Sequence, residues 1–213
     1  MLDAVIDLSH HNGSQIDFDQ VKASGVLGVI LKASQGISMR DPMYTINRFR
    51  AISAGLMVGA YHFGTNDRGD AQAAFFLEAA KPDKHTLLVL DFEPNKSEQT
   101  TMTLDDARLF VETIAAEHRY PGLYSGHLIK NQLCGKPKDQ ILTNCFLWLA
   151  QYSSRPTDIP PTWNMVTLWQ YTDRGLVNGA GYIDRNRFNG TEQGLRRLWG
   201  YENGNQPASP ERR

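Results

Sequence analysis

The sequence predicts an α/β fold, a single irregular (β/α) TIM-like barrel with eight strands, about five major helices, and late strands joined by loops. Three observations predict it. Eight β-rich runs succeed one another along 213 residues, the early ones mostly separated by helical patterns. The last runs are separated instead by Pro156, Pro160 and Pro161, then by Gly175, Gly179 and Gly181. Acidic residues stand at strand ends all round the order of the chain, which favours a closed barrel over an open doubly wound sheet.

Ala4-Val5-Ile6-Asp7-Leu8 is the first strand and runs into a His-His-Asn-Gly turn at residues 10–13. Asp17, with Gln20 three residues on, reads as a capping box that opens a short helix to Ser24. Residues 26–33 are almost continuously apolar, as in a strand buried on both faces. Asp41 as N-cap, Pro42 at the first helical position and Gly55 after Ala54 punctuate the next helix. Residues 56–63 form the third strand and 70–80 an Ala-rich amphipathic helix. Residues 87–93 form the fourth strand, which ends in acids before Pro94. Thr103 with Asp106 starts a helix running to about His118, and the later strands are 122–125, 146–152, 166–171 and 182–188. No repeat or linker divides residues 1–199, expected as one barrel domain; residues 200–213, polar with Gly and Pro, are expected to be a disordered tail.

Composition removes several functions. Hydrophobic residues make up 41% and charged residues 21%, an ordinary globular balance. Lys plus Arg (22) nearly equals Asp plus Glu (23), so the clustered positive charge of a general nucleic-acid binder is missing. No apolar run approaches the ~20 residues that span a bilayer. The first seven residues carry Asp3 and Asp7 where a signal peptide carries basic residues, so no secretion signal is expected. Cys134 and Cys145 are too few for a disulfide scaffold and read as reduced thiols. The six histidines have no zinc-ligand spacing, no phosphate-binding glycine loop occurs, and Ser125 sits in Tyr-Ser-Gly-His rather than a nucleophile elbow. No cofactor or metal and no nucleotide is called for.

A parallel barrel places chemistry at the C-terminal ends of its strands. Those ends carry Asp7, Asp91, Glu93 and Asp184. Asp91 and Glu93 are two apart and share a strand face; the open mouth is the cheaper face, because an acid turned toward the helices would be buried away from water. Carboxylates crowded in one cleft raise one another's pKa, the condition for a carboxyl to stay protonated and act as a general acid. Glu93, with the longer reach and nearer the solvent, is the proton donor in this reading, and Asp91 the ionised stabiliser. Tyr61, His62, Tyr124, Trp148, Tyr152, Gln170 and Tyr171 lie at or near strand ends, and His10 just past Asp7. They suit the flat apolar faces and hydroxyl edges of sugar rings, although each aromatic, Trp148 above all, also fits the barrel core.

Taken in order, Val5-Ile6-Asp7-Leu8-Ser9-His10, Ile30-Leu31-Lys32-Ala33-Ser34-Gln35-Gly36, Gly59-Ala60-Tyr61-His62-Phe63, Leu90-Asp91-Phe92-Glu93, Leu147-Trp148-Leu149-Ala150-Gln151-Tyr152, Leu168-Trp169-Gln170-Tyr171 and Ile183-Asp184-Arg185-Asn186 resemble the family 25 glycoside hydrolases. These are the Chalaropsis-type lysozymes common among phage endolysins and bacterial autolysins. The resemblance covers residues 4–190. It implies a flattened barrel with five early helices and hairpin-like late strands. It also implies hydrolysis of the β-1,4 bond between N-acetylmuramic acid and N-acetylglucosamine in peptidoglycan. Carried over by position, Glu93 is the donor, Asp91 its partner, and Asp7 and Asp184 the further acids. Gln35 departs from the family, which often has Glu there.

Asp91 and Glu93 share one face, so they do not flank a sugar with the ~6.5–9.5 Å gap that inversion needs. Retention is expected, either through Asp91 as nucleophile or, preferably, through the substrate's own 2-acetamido group. The competing readings are a non-catalytic glycan-binding barrel and a chitinase-like glycosidase. The expected partner is a peptidoglycan glycan strand, engaged by a monomer without membrane insertion. The expected location is a host cytoplasm before release to the wall, or the cell exterior by another route.

Overall fold

The computed structural model describes residues 1–13, 15–96, 98–117 and 119–201, so the expected tail lies outside the described residues apart from Gly200 and Tyr201. Among the described residues nine strands form: β1 (Leu2–Leu8), β2 (Gly28–Gln35), β3 (Met39–Arg40), β4 (Met57–Phe63), β5 (Leu87–Asp91), β6 (Gly122–Ser125), β7 (Phe146–Ala150), β8 (Leu168–Val177) and β9 (Gly181–Phe188). Eight close a barrel in the order β1-β2-β4-β5-β6-β7-β8-β9, with β9 returning to β1; the two-residue β3 hangs on the end of β2. The expected eight-stranded barrel is therefore present, with one short strand added.

The ring is parallel except at β9, which runs antiparallel to both neighbours. The reason is the connection. A parallel neighbour needs a long crossover, whereas an antiparallel one needs only a tight turn. Residues 178–180 are such a turn, with Gly179 at φ +86°. This corrects one premise of the sequence reading. Asp184 does not end a parallel strand; it lies near the start of a reversed one, which brings it to the same barrel end as Asp7, its Cα partner.

Among the described residues six α-helices accompany the strands: α1 (Phe18–Ala23), α2 (Tyr44–Ser53), α3 (Gly69–Ala80), α4 (Leu104–Ala116), α5 (His127–Leu133) and α6 (Glu192–Leu198). Asp17 and Thr103 cap α1 and α4 as expected, accepting from the backbone N–H of Gln20 and Asp106. Asp41 does not cap α2. The helix begins at Tyr44, and the Asp41 carboxylate takes the N–H groups of Met43 and His10 instead. Among the described residues no helix is long and apolar enough to cross a membrane. Cys134 is exposed, Cys145 is buried, and both are free.

Strand alternation sorts the core into two layers. Val5, Ile30, Val89, Trp148, Leu168 and Phe188 fill the barrel, and Leu195 of α6 and Trp199 just after it join that cluster. Ile6, Leu31, Leu90, Leu123, Leu147 and Trp169 pack outward against the helices. Gly122 belongs to the inner layer for want of space: a Cβ there would stand 2.3 Å from the Phe146 ring. The upper end of the barrel is not filled by apolar side chains, and the polar residues collect there.

Candidate active site

Asp7, Tyr61, Asp91, Glu93, Tyr124, Trp148, Gln170 and Asp184 line one cavity of about 130 Å³ at the barrel mouth. Each strand contributes by the same alternation that built the core. On β5, Leu87 and Val89 point inward, so Asp91 does too, and Glu93 follows two residues beyond the strand. An adjoining groove of about 360 Å³ shares Glu93 and Tyr124 and is bounded by His127, Lys130, Gln151 and Tyr152.

The four acids sit in two different settings. Asp7 is clasped by amides: Asn186 Nδ2 donates to it at 2.7 Å and Gln170 Nε2 at 3.2 and 3.3 Å. Those amides are themselves oriented. Trp148 Nε1 donates to Asn186 Oδ1 at 2.7 Å, and the Tyr124 and Tyr152 hydroxyls donate to Gln170 Oε1 at 2.8 and 3.0 Å. Asp184, the Cα partner of Asp7, faces the same cavity. Burial, then the Asp184 charge, holds Asp7 well above the ordinary carboxylate range despite the amides.

Asp91 and Glu93 are less well partnered. Among the described residues no donor reaches the buried Asp91 Oδ1. Burial, then the charge of Glu93, pushes Asp91 well up, while Lys32 opposes the shift. Glu93 is half-buried and is raised by burial and then by Asp184. Two raised carboxyls, one with an oxygen that accepts from no donor, are a poor structural arrangement and a usable chemical one.

The mouth therefore holds all four acids with Tyr61, Tyr124, Trp148 and Gln170, and Tyr152 stands in the adjoining groove, 57% exposed. Trp148 lies at the cavity and in the core at once, edge-on to Tyr124 at 4.6 Å. Three expected sugar-binding residues are not in the mouth. His62 is fully buried on the outer face of β4, between Ser34 and Gln72 and against Phe76 and Phe110. Tyr171 also faces outward, donating to Asp3 Oδ2 at 2.6 Å under the Arg187 guanidinium. His10 is tied to Asp41, its Nδ1 2.7 Å from Oδ2, and does not line the cavity. Alternation explains the first two: each is one residue out of phase with an inward neighbour, Tyr61 or Gln170. Two residues escaped the sequence reading as site members. Asn186 is two after Asp184 on the same face, the very spacing that found Glu93 from Asp91. Lys32 is a charge inside an apolar strand.

The sequence matches the family described as Glycosyl hydrolases family 25 over residues 6–180. It is 32% identical over 203 residues to Lysozyme M1 of Streptomyces globisporus, covering 87% of this chain and 67% of that one. It is 27% identical over 208 residues to the N,O-diacetylmuramidase of Chalaropsis sp, covering 90% of this chain and 96% of that one. Among solved structures, the bacterial lysozyme from Streptomyces coelicolor superimposes with a TM-score of 0.81 at 31% identity, over 92% of this chain and 96% of that one.

Proposed function

The chain belongs to the family 25 glycosyl hydrolases and is a peptidoglycan hydrolase of the lysozyme type; from that premise we propose how its mouth performs the cleavage. The bond cut is the β-1,4 link from N-acetylmuramic acid to N-acetylglucosamine, with net retention. Glu93 protonates the departing oxygen. The carbonyl oxygen of the substrate's 2-acetamido group attacks the anomeric carbon from the opposite face and closes an oxazolinium ion. Asp91 accepts the acetamido N–H and faces the positive charge as it develops. Glu93, now ionised, takes a proton from water, which opens the ring and restores the original configuration. The Asp7–Asp184 pair, fixed by Asn186 and Gln170, forms the opposite wall.

One observation carries this reading: the buried, unpartnered Oδ1 of Asp91. It also bears on the protonation of the pair. Burial raises both Asp91 and Glu93. A substrate N–H donated to Oδ1 favours the charged form of Asp91, and the proton of the pair then resides on Glu93, where the leaving oxygen needs it. Binding the correct sugar thus arms the acid.

NMR of the first-formed anomer from a defined muropeptide digest tests the stereochemistry: a β product is expected, and an α product overturns the scheme. A glycan lacking the N-acetyl group at the cleaved sugar separates the two retaining routes. It should resist cleavage; if it is cut with retention, the nucleophile is Asp91 itself.

A further inference from the structure

Lys32 is a cation in a strand that otherwise buries apolar side chains. It lies two residues after Ile30 of the barrel interior and is only 7% exposed. Its Nζ donates to Gln35 Oε1 at 2.8 Å and stands 5.1 Å from the centre of the Phe63 ring. Phe63 is the Cα partner of Gln35 on one side and of Asp91 on the other, so the ammonium sits one strand from Asp91 on the inner face. Among the described residues Lys32 forms no ion pair within 4 Å. A buried ammonium ordinarily has a carboxylate in contact. This one is held by a neutral amide within a ring of acids that it does not touch.

We infer that Lys32 is the counter-ion of the acid cluster, a positioning residue that acts through Asp91, and that Gln35 holds its ammonium in place without neutralising it. The groups that share its field come from every side of the mouth. Asp91 on β5 and Asp41 after β3 favour its charge, and burial opposes it. The Tyr61 phenol on β4 feels Asp91, Asp7 and Asp41 together. Glu93 and, through Asp7, Asp184 complete the acid set. Behind β4, His62 also senses the ammonium. Four acids in one small cavity resist a second ionisation, and a fixed positive charge beside Asp91 is what lets Asp91 ionise while Glu93 keeps its proton. A carboxylate at position 35 would satisfy the same hydrogen bond and cancel that field.

This inference rests on the assignment of Asp91 and Glu93, and the test separates the two. The full-length chain is prepared as Gln35→Glu, Lys32→Met and Lys32→Arg, with Glu93→Gln alongside, and kcat/KM on a soluble muropeptide glycan is followed against pH. The acid limb reports the group that must be ionised, Asp91. In Gln35→Glu, which preserves the packing and the hydrogen bond, that limb should move up by about one pH unit, and in Lys32→Met by more. Lys32→Arg should restore it, and KM on the plateau should stay unchanged throughout. A purely structural lysine would lower the thermal midpoint and leave the limb in place. A limb unmoved in folded Gln35→Glu overturns the inference, as does a raised KM with an unmoved limb, which would make Lys32 a substrate contact. An active Glu93→Gln overturns the assignment beneath it; an inactive Glu93→Gln with an unmoved limb overturns only the role of Lys32.

Discussion

The two faces of the β4–β5 wall hold buried polar groups of opposite kinds. On the outer face His62 has both ring nitrogens occupied. Gln72 Nε2 is committed to the carbonyls of Thr65 and Asp67, so its Oε1 accepts from His62 Nε2, and Ser34 Oγ donates to Nδ1. On the inner face Asp91 is also buried, yet its Oδ1 has no donor among the described residues. Burial drives both toward neutrality, taking the His62 imidazole down to about 4 and Asp91 up. Saturation is what separates them. A buried polar group with every valence filled is part of the scaffold, and one left open is waiting for something.

Breaking the inner face should give the largest effect. Glu93→Gln keeps the shape and removes the transferable proton, so hydrolysis of purified walls should fall by on the order of 10²–10⁴ with the fold intact. Most of the activity surviving would sink the assignment. Asp91→Asn should be crippled to a lesser or similar degree, because its amide still fits the pocket but presents no charge to the oxazolinium ion. The same variant should be the more stable protein. A carboxyl whose pKa is raised by folding stabilises the chain below the ordinary carboxylate range and withdraws that stability as pH rises through the folded value. Asp91→Asn removes that loss, so its thermal midpoint should exceed the parent's at neutral pH and converge on it in acid. Equal midpoints at every pH would contradict the burial argument.

The outer face should show the opposite slope. A histidine with a folded pKa of about 4 stabilises fully above 6.5 and loses that contribution as pH falls toward 4, a swing of about 3 kcal/mol. His62→Gln should flatten this slope in urea titrations between pH 7 and 4, and leave kcat unchanged on a per-folded-molecule basis. A change in KM would return His62 to the substrate, where the sequence alone had put it.

That misplacement marks how far the sequence can be read. The barrel was legible because its strands are short apolar runs punctuated by caps that hydrogen-bond as they should, Asp17 and Thr103 among them. The acids were legible because Asp91 and Glu93 carry charge to the end of such a run with the period that fixes a common face. Proximity to a strand end does not place His62 and Tyr171, whereas parity does: Tyr61 and Gln170 beside them fix which side is inward. The direction of β9 does not show in its own residues: nothing in one strand states which way it runs, only the length of chain before it, and the turn at Gly179 carries that information, in keeping with the hairpin-like late strands that the family resemblance implies. Lys32 was passed over because its field exists only once three other strands are assembled around it.

The smallest effect should come from the hydroxyls that orient Gln170. Tyr124 and Tyr152 donate to the same Oε1, one from the core and one from the 57% exposed rim. With one removed, the other still fixes which end of the amide faces Asp7, so the clasp survives either loss. Tyr152→Phe should therefore cost less than about 1 kcal/mol, because an exposed hydroxyl recovers its bond from water. Tyr124→Phe, which removes a buried donor, should cost about 1 kcal/mol or somewhat more. Neither should shift the acid limb of the rate profile, since Gln170 acts on Asp7 rather than on Asp91. The double variant Tyr124→Phe, Tyr152→Phe is the informative one. It frees the amide to flip and turn its oxygen toward Asp7, so its loss of activity should exceed the product of the two single losses. A strictly multiplicative result would mean that the two hydroxyls do not act through Gln170 together, and that the clasp on Asp7 is set by Asn186 and Trp148 alone.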